Sequence, residues 1–362
     1  MRVALIHDWL TGLRGGEKVL EALCELFPEA TVFTMVHVPD STSQTIESHP
    51  IRTAFTQNLP AVKKLYRWYL PLYPWAVESL DLDNFDLIVS SSHCVAKGAR
   101  PPAGVVHICY CHTPMRYVWD RFTDYFGDGI KARFLYGPIA HYLRRWDVAS
   151  AGRVHSFVAN SQHVARRIEK YYHRETEAVI YPPVDTEAFV PDDSEPEDFY
   201  LIVSALVPYK RLDLAIDAFR RRPDRLLIVG TGPEERGLRE QATSNVQFLG
   251  ALPQDKLLPL YQRCRATLLP GVEDFGIAPV ESQACGRPVV AFAEGGALES
   301  IQEGETGVFF RERTPEALSD AIDRVFSLRS NKRTLRSWSQ RFSRERFKKE
   351  MKAFIDRKLA GG

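Results

Sequence analysis

The feature that most limits how this chain can fold is a repeated alternation of short apolar runs with segments of helical spacing. Val3–Ile6 is the first apolar run, and Glu17–Phe27 follows it with the spacing of an amphipathic helix. Further strands in this half of the chain are predicted at Thr31–Val36, Asp86–Ser90, Val105–Cys111 and Ser156–Asn160. Because strands that alternate with helices form parallel βαβ units, the first half of the chain is predicted to be an α/β domain.

The same alternation begins again after a polar, acidic segment, Pro191–Asp198, which is the predicted linker. Strands of the second series are predicted at Phe199–Ala205, Arg225–Val229, Val246–Leu249, Ala266–Leu269 and Pro288–Phe292. We therefore predict the α/β class, with two tandem Rossmann-like, doubly wound domains at residues 1–185 and 186–340. A basic amphipathic helix at about 341–362 is predicted to pack back on the first domain. Such sheets bind ligands beyond the carboxyl ends of their strands, so an active site is predicted in a cleft between facing domains.

The composition narrows the class of protein. A length of 362 residues suits two domains, and a net charge of +1 argues against a nucleic-acid-binding protein, which usually has a strong basic excess. The six cysteines form no C-x-x-C pair and no zinc spacing, which favours reduced, buried thiols. No apolar stretch approaches the roughly 20 residues of a membrane span. We therefore expect a cytoplasmic protein that is soluble or rests on the inner face of the cell membrane.

The most informative motif is Glu273–Glu281, with the sequence EDFGIAPVE. It follows a predicted strand and a Pro-Gly turn, and a helix is predicted to begin near Ala278. Backbone N–H groups at a helix start are free to bind a phosphate or a sugar hydroxyl, which makes Phe275, Gly276 and Ile277 candidate ligand-binding residues. The alternative is that the two glutamates only complement the helix dipole.

This motif resembles the E-x7-E motif of the family-four retaining glycosyltransferases, which have the GT-B fold. The segments Gly286–Ala291 and Gly295-Gly296 also fit the usual continuation in that family. By this resemblance, Glu273 contacts the transferred sugar and Glu281 contacts the ribose of the nucleotide. The resemblance implies a nucleotide-diphosphate sugar donor in the second domain and an acceptor in the first. It also implies retention of the anomeric configuration, with no metal or other cofactor required.

A second motif, Ser204–Asp213, lies where a strand ends and a helix begins. Lys210 matches the family lysine, and cations at this position would neutralise a leaving diphosphate. The family usually has an arginine five residues earlier, where this chain has Ala205, and Arg211 is the candidate to compensate. The alternative is a solvated Lys-Arg pair at a helix start.

Two glycine-containing turns are further candidates. Gly15 and Gly16 permit close approach of a ligand to a helix N-terminus, and they resemble the Gly-Gly loop that lies near the donor phosphates in this family. Gly230 and Gly232 lie between a strand and a helix and resemble the nucleotide-side turn of the family. Each turn is also compatible with an ordinary strand-to-helix connection.

Four histidines are candidates for the active site of the first domain. His112 follows a strand end, and it resembles the active-site histidine that lies near the reacting sugar in this family. His7 and His93 also lie at strand ends and compete with it. His107 lies in the middle of a strand and is expected to be packed.

Two other segments suggest contacts outside the donor site. Residues 63–75, with the sequence KKLYRWYLPLYPW, mix basic and aromatic side chains, as in segments that lie on an anionic membrane surface. Packing over the first domain is the alternative for this segment. Asp81-Leu82-Asp83 matches the D-x-D metal motif of a different glycosyltransferase class, but it precedes a strand of the wrong domain. We therefore predict no metal site there.

These features predict a hexosyltransferase that uses a glycan or a lipid-linked acceptor. Several segments resemble mannosyltransferases of surface polysaccharide assembly, which favours GDP-mannose as the donor, although no physical feature excludes a UDP-sugar. Two alternatives stay open: a UDP-sugar 2-epimerase of the same fold, and a non-catalytic pair of domains that binds a glycan or a partner. Product formation with an acceptor would distinguish the transferase from both.

Overall fold

The computed structural model describes residues 1–120, 130–329 and 331–361. The chain divides into two compact units: the first comprises Met1–Pro183 with Glu345–Gly362, and the second comprises Val184–Arg344. Each unit contains one parallel sheet accompanied by helices. The predicted fold class, two Rossmann-like α/β domains in tandem, is confirmed.

The first unit has a seven-stranded sheet within the described residues, in the order β3-β2-β1-β4-β5-β6-β7. Its strands are β1 Val3–His7, β2 Thr31–Thr34, β3 Ile51–Thr53, β4 Leu87–Ser92, β5 Val106–Cys111, β6 Ser156–Ala159 and β7 Ala178–Val179. All pairs are parallel, and the central pair places His7 of β1 opposite Ser91 of β4. All five residues of β1 are buried, as expected for a parallel strand that is covered on both faces.

The helices of the first unit follow the predicted alternation. Those described before Pro183 are α1 Gly15–Leu26, α2 Gln44–Glu47, α3 Val62–Leu65, α4 Tyr73–Glu78, α5 Ile130–Ala151 and α6 Gln162–Tyr172. The buried face of α1 contains Val19, Leu20 and Leu23, which have the spacing of one helix face. Ser161 is the N-cap of α6, because its hydroxyl accepts a hydrogen bond from the backbone N–H of Val164 at 3.0 Å.

The second unit repeats this architecture with six parallel strands in its described part, in the order β10-β9-β8-β11-β12-β13. The strands are β8 Phe199–Val203, β9 Arg225–Val229, β10 Val246–Gly250, β11 Thr267–Leu269, β12 Val289–Phe292 and β13 Gly307–Phe310. The helices are α7 Leu212–Phe219, α8 Glu235–Gln241, α9 Gln254–Arg263, α10 Ile277–Ala284, α11 Ala297–Ser300, α12 Pro315–Arg324 and α13 Lys332–Ser339. In both units the strand order reverses beside the strand that comes first in the sequence, β1 or β8, as in doubly wound nucleotide-binding sheets.

The last helix, α14 Arg344–Ala360, follows a short helical turn at Gln340–Phe342. It belongs to the first unit from Glu345 onwards. Its apolar residues Phe347 and Met351 are fully buried, and the ring of Phe347 lies 5.5 Å from that of Tyr110 in β5. Every helix in the described part of the chain is too short or too polar to cross a bilayer.

The structure differs from the sequence prediction at some sheet edges and at the proposed linker. The outermost strands β3, β7 and β13 were not predicted. The acidic segment Pro191–Asp198 belongs to the second unit, in which Lys332 Nζ donates to the carbonyl oxygens of Asp192 and Ser194 at 2.9 and 2.8 Å. The boundary between the units falls between Pro183 and Val184, two residues before the predicted domain boundary at 185/186.

A buried ion pair joins α5 to the short turn after β4. Lys97 and Asp147 are 1% and 0% exposed, and Lys97 Nζ lies 2.8 Å from Oδ1 of Asp147. Lys97 also donates to the hydroxyl of Ser150 at 2.7 Å, and the indole N–H of Trp119 donates to Asp147 Oδ2 at 2.8 Å. Because both charges are removed from water, each depends on the other to offset its lost hydration.

We predict that Asp147→Ala lowers the free energy of unfolding of the first unit by about 3–5 kcal/mol, because it leaves the Lys97 charge buried and unpaired. The control is Lys352→Ala, which removes an exposed pair with Asp356 in the same unit and should cost about 0–1 kcal/mol. The urea dependence of amide hydrogen exchange in peptides of the first unit measures both values. Equal effects of the two substitutions would contradict the importance of the buried pair.

Candidate active site

Two loops at the reversal of strand order form the candidate site of the second unit. In a doubly wound sheet, the strands on either side of the reversal leave an opening beyond their carboxyl ends. In this sheet those strands are β8 and β11, which are neighbours. Lys210 follows β8 in the helical turn Pro208–Lys210, and Glu273 follows β11. The reversal therefore brings two of the predicted site residues to the same opening.

The ammonium group of Lys210 contacts the carboxylate of Glu273 directly. Lys210 is 9% exposed, so its charge acts in a partly dehydrated environment, where electrostatic interactions are stronger than in bulk water. Glycine at position 271 is required for this packing, since a Cβ there would lie 2.5 Å from the Cα of Lys210. A cation and a carboxylate therefore lie side by side at the end of the sheet.

A pair of glycines after β12 supports the loop that contains Glu273. Gly295 forms an isolated parallel bridge with Glu273, and the Gly296 N–H donates to the Glu273 carbonyl oxygen at 2.8 Å. A Cβ on Gly296 would lie 2.2 Å from the Cα of Phe275. Any larger residue at position 296 would displace the start of the E-x7-E motif.

Helix α10 begins at Ile277, one residue before the predicted start, and Gly276 is its N-cap. Gly276 has a φ of +89°, a conformation that residues with side chains rarely adopt. The side chain of Phe275 is buried, and its ring lies 5.5 Å from that of Phe342. The N-cap residue Gly276 has no side chain that could cap the helix, and N–H groups at a helix start are suited to bind oxygen atoms of a ligand.

Glu281 lies in α10 and is 4% exposed. Its Oε2 accepts a hydrogen bond from the hydroxyl of Tyr261, on α9, at 2.9 Å. Burial raises the pKa of Tyr261 well above its usual value, and the nearby Glu281 carboxylate acts in the same direction. Tyr261 therefore remains a donor that holds the carboxylate in one orientation, a contact that sequence reasoning missed.

Arg211 is paired with a residue in the first turn of α7, the helix that follows it. Its Nε and Nη2 donate to the carboxylate of Asp213 at 3.0 and 2.9 Å. Because Ala205 supplies no charge, Lys210 is the cation that contacts Glu273 at this opening. The predicted compensation by Arg211 stays a prediction, and it would require the guanidinium to exchange Asp213 for a ligand.

The two glycines predicted for the nucleotide side of the site pack against the loop after β8. A Cβ on Gly230 would lie 1.8 Å from the carbonyl oxygen of Ser204, and a Cβ on Gly232 would lie 2.2 Å from that of Leu206. Gly230 also has a φ of +134°. Close backbone packing thus accounts for both glycines, while their contact with a nucleotide stays a prediction.

The candidate site of the first unit lies at the corresponding reversal, between β1 and β4. Ser91 Oγ lies 3.1 Å from His7 Nδ1 and 2.8 Å from His112 Nε2, so one hydroxyl bridges two imidazole rings. Gly16 lies in the first turn of α1, next to the predicted ligand-binding residue Gly15. A Cβ on Gly16 would lie 3.4 Å from His7 Cε1 and 3.8 Å from His112 Nε2. Both distances are ordinary van der Waals contacts, so the start of α1 lies directly against the two rings.

Asp8, which the sequence analysis did not select, fixes the loop after β4. Its carboxylate accepts backbone N–H bonds from residues 93–96 at 2.7, 3.0, 2.6 and 2.8 Å, and its Oδ2 lies 3.0 Å from His93 Nδ1. Burial by itself would raise the pKa of Asp8, but His93 and His7 lower it well below its usual range. Asp8 is therefore an anion that ties the end of β1 to the turn after β4.

Three of the histidine candidates form one cluster. The ring centroids of His7, His93 and His112 lie 6.0, 6.4 and 6.4 Å apart. Burial lowers the pKa of His112 well below its ordinary value, and the neighbouring imidazoles act in the same direction. His107 is fully buried against Ser90, and burial lowers its pKa to about 3, which confirms that it is packed.

In the D-x-D segment Asp81 and Asp83 are exposed and Leu82 is buried, and the backbone N–H of Asp83 donates to Asp81 Oδ1 at 3.4 Å. Among the residues that the structure describes, no group of three or more His, Cys, Asp or Glu side chains has the arrangement of a metal site. All six cysteines lie within the described part and are free, buried thiols.

Comparison with known protein families gives a match for each half of the chain. Residues 13–188 match the model of Glycosyltransferase Family 4, and residues 184–342 match that of Glycosyl transferases group 1. The chain belongs to the group 1 and family 4 glycosyltransferases. The resemblance inferred from the E-x7-E motif is therefore confirmed at the level of the family, whereas the mannosyltransferase subtype stays a prediction.

The relatives of this glycosyltransferase chain differ in how much of it they match. A D-inositol 3-phosphate glycosyltransferase of Acidothermus cellulolyticus is 33% identical over 211 residues, which are 49% of this chain and 46% of that protein. An uncharacterized glycosyltransferase of Methanocaldococcus jannaschii is 22% identical over 84% of each chain. This chain thus spans slightly less than half the length of the inositol phosphate relative.

Solved structures share the fold over the whole chain. Sucrose-phosphate synthase from Thermosynechococcus elongatus superposes with a TM-score of 0.76, at 18% identity and with 100% of both chains covered. The Anabaena protein HepE, solved in complex with UDP-glucose, superposes with a TM-score of 0.73, at 19% identity, covering 98% of this chain and 99% of its own. At this identity the likeness establishes the fold alone.

We predict that Gly296→Ala destabilises the second unit by about 1–3 kcal/mol, because the added Cβ overlaps the backbone of Phe275. Gly237→Ala is the control, since no atom lies within 4 Å of a Cβ there. Alanine should stabilise its helix, α8, by up to about 1 kcal/mol. Hydrogen exchange in the second unit would measure both effects, and an unchanged Gly296→Ala protein would contradict the tight packing behind Glu273.

Proposed function

We propose that this protein is a retaining, metal-independent glycosyltransferase that transfers a hexose from a nucleotide-diphosphate sugar to a glycan or lipid-linked acceptor. The donor is assigned to the second unit and the acceptor to the first. The observation that carries this proposal is the contact between Lys210 and Glu273 at the β8–β11 reversal, within a motif that also contains the buried Glu281. Membership of the family supports the reaction class.

In the proposed reaction, the bond between the anomeric carbon and the diphosphate oxygen breaks while the acceptor oxygen bonds to the same face of the sugar. The acceptor proton passes to the leaving phosphate. Negative charge therefore grows on the diphosphate, and Lys210 together with the first N–H groups of α10 stabilises it. Glu273 exchanges its contact with Lys210 for hydroxyls of the transferred sugar, and Glu281 binds the ribose. His112 binds a hydroxyl of the reacting sugar.

GDP-mannose is the first donor to test, on the resemblance to mannosyltransferases. UDP-glucose is the competing donor, since the HepE structure of the same fold was solved with it. Inositol phosphate is a competing acceptor, because it appears in the names of relatives up to 33% identical. The relatives and structures named above give no support to a 2-epimerase. A non-catalytic binding module would bind the nucleotide without product formation.

The nucleotide site can be tested by calorimetric titration with UDP and GDP without added metal. We predict that Glu281→Gln weakens binding of the preferred nucleotide about 10–100-fold, because a charge-assisted hydrogen bond to the ribose is lost. Lys210→Met should weaken binding of the diphosphate by a similar factor but leave binding of the nucleoside within about twofold, because only the diphosphate pairs with the ammonium.

Glu240→Gln is the matched control, because Glu240 is exposed on α8 and pairs only with Arg236 in the described contacts. Its nucleotide affinity should equal that of the unmodified protein. Failure of the unmodified protein to bind either nucleotide at millimolar concentration would rule out the proposed function. Binding without sugar transfer to any glycan or lipid-linked acceptor would favour the binding module.

We further propose that a basic-aromatic surface of the first unit contacts an anionic membrane. This surface consists of the exposed residues Lys63, Lys64, Leu65, Arg67, Trp68 and Trp75. Trp68 and Trp75 are 71% and 61% exposed, which is unusual for side chains that are mostly buried in soluble proteins. The sequence has no acidic residue from Ser48 to Val77, so nothing within the segment offsets its charge. Lipid headgroups and the upper acyl region suit this combination.

We predict that the protein sediments with vesicles of phosphatidylcholine and phosphatidylglycerol but not with phosphatidylcholine alone. Replacing Lys63, Lys64 and Arg67 with Gln should remove about 1 kcal/mol of binding free energy per cation. Trp68→Ala should weaken binding about tenfold or more, through lost apolar burial. Phe326→Ala is the control, because Phe326 is an aromatic residue of the second unit that is 60% exposed. Equal binding to both kinds of vesicle would contradict the proposal.

A further inference from the structure

His93 differs from the other two rings of the histidine cluster in what its two nitrogen atoms contact. Nδ1 lies 3.0 Å from Oδ2 of Asp8, and the side chain is 21% exposed. Within the described residues Nε2 forms no hydrogen bond, and it is not a buried atom. One ring nitrogen of His93 thus faces a carboxylate, while the other is open to solvent and has no part in the function proposed above.

Asp8 is held as an anion by the loop that contains His93. Each of its oxygens accepts two backbone N–H bonds, Oδ2 from residues 93 and 94 and Oδ1 from residues 95 and 96. Amide N–H groups can only donate, and several of them together strongly stabilise the ionised form of a carboxyl group. Burial opposes ionisation, yet the pKa of Asp8 lies well below its usual range. Asp8 is therefore ionised at neutral pH and can only accept hydrogen bonds.

The ionised carboxylate fixes a hydrogen on the nearer nitrogen of His93. A bare Nδ1 at 3.0 Å would bring its lone pair against those of Oδ2, whereas Nδ1–H donates a charge-assisted hydrogen bond. This result holds for both the neutral and the protonated ring, because Nδ1 bears a hydrogen in each of these forms. The neutral ring therefore has its lone pair on Nε2, the nitrogen that is open to solvent.

The orientation of the His93 ring is fixed by its neighbours. Four amide groups immobilise Asp8, and the ring of Trp9 packs edge to face on His93, with centroids 4.6 Å apart. His93 directly follows β4, at the reversal of strand order beside β1, where doubly wound sheets bind their ligands. An oriented nitrogen at such an opening can hold a polar group of a substrate without reorganisation.

We propose that His93 binds a hydroxyl group of the acceptor through Nε2, and that Asp8 is the positioning residue that fixes the tautomer and orientation of the ring. This assignment rests on the proposed function, which places the acceptor in the first unit. It gives His93 a role distinct from that of His112, which is assigned to the transferred sugar. The state of the Asp8–His93 pair itself requires no ligand.

The pair can be examined without a substrate. In protein labelled with 15N-histidine, protonated and bare ring nitrogens have well-separated 15N chemical shifts, and the spectrum of His93→Asn identifies the signals of His93. We expect a protonated Nδ1 at neutral pH. A bare Nδ1 would overturn the proposal, because Asp8 would then not fix the tautomer.

Two substitutions separate the role of Nε2 from that of Nδ1. In His93→Asn, the amide nitrogen takes the place of Nδ1 and can still donate to Asp8, but no atom replaces Nε2. In His93→Gln, the amide reaches the place of Nε2, but the donor to Asp8 is lost. We therefore expect His93→Asn to keep the melting temperature within about 3 °C and His93→Gln to lower it further.

Sugar transfer provides the second readout, with octyl glucoside, octyl mannoside and inositol 3-phosphate as acceptor probes and the donor selected by the nucleotide titration. His93→Asn should raise the KM of the acceptor about 3–10-fold, through loss of one hydrogen bond, and leave the KM of the donor within about twofold. His93→Gln should restore part of the acceptor affinity. His37→Gln is the matched control, because His37 pairs with Glu47 through Nε2 at 2.9 Å and Gln can keep that contact.

A role limited to tying the loop to Asp8 predicts the opposite order. In that case His93→Asn would have the acceptor KM of the unmodified protein and His93→Gln would be the impaired variant, and this result would overturn the proposal. Absence of nucleotide binding, or of transfer to any acceptor, contradicts the proposed function instead. The two failures are distinguishable because the nucleotide titration examines the second unit, whereas the histidine spectrum examines the first.

Discussion

Both candidate sites depend on one topological constraint, the reversal of strand order in a parallel sheet. Where the order reverses, neighbouring strands continue to connections that leave in opposite directions, so no connection covers the opening between their carboxyl ends. In the first unit the reversal lies between β1 and β4, and in the second it lies between β8 and β11. His7 and Ser91 flank the first reversal, and Lys210 and Glu273 flank the second. The chemistry follows the topology because each opening brings polar side chains from neighbouring loops together beyond the carboxyl ends of buried strands.

The loops at these openings are fixed by different means. In the first unit, the buried Asp8 anion accepts four backbone N–H groups from the turn after β4. In the second unit, backbone packs directly on backbone at Gly271, Gly295 and Gly296, where a Cβ would overlap its neighbours. A loop is held rigid when an anion binds several of its successive amides. It is also held rigid when its backbone packs directly on another backbone. Rigid loops are needed where charges must be held in place before a ligand arrives.

Family membership and local contacts constrain the function in different ways. The two family models together match both domains, and this match supports the class of reaction that is proposed. The similarity to inositol phosphate enzymes covers about half of each chain, and similarity to solved structures is below 25% identity. Such matches leave the donor and the acceptor to be decided by experiment. The local contacts add what the family match lacks, since they identify Tyr261 beside Glu281 and Ser91 beside His112 as groups that orient functional side chains.

The sequence alone was sufficient to predict the class of fold and to locate the E-x7-E motif and Lys210 near strand ends. It also distinguished His112, at a strand end, from His107, within a strand. Those features are local, because strand and helix periodicity and the ends of elements depend on residues a few positions apart. The tertiary structure decided which side chains meet. Ser91 and His7 are 84 positions apart, and Tyr261 and Glu281 are 20 apart. Their contacts depend on strand order and register, which bring the ends of distant strands together and which no short-range pattern encodes. The position of Pro191–Asp198 in the second unit was decided in the same way, because the lysine that binds it lies on a helix more than a hundred residues later.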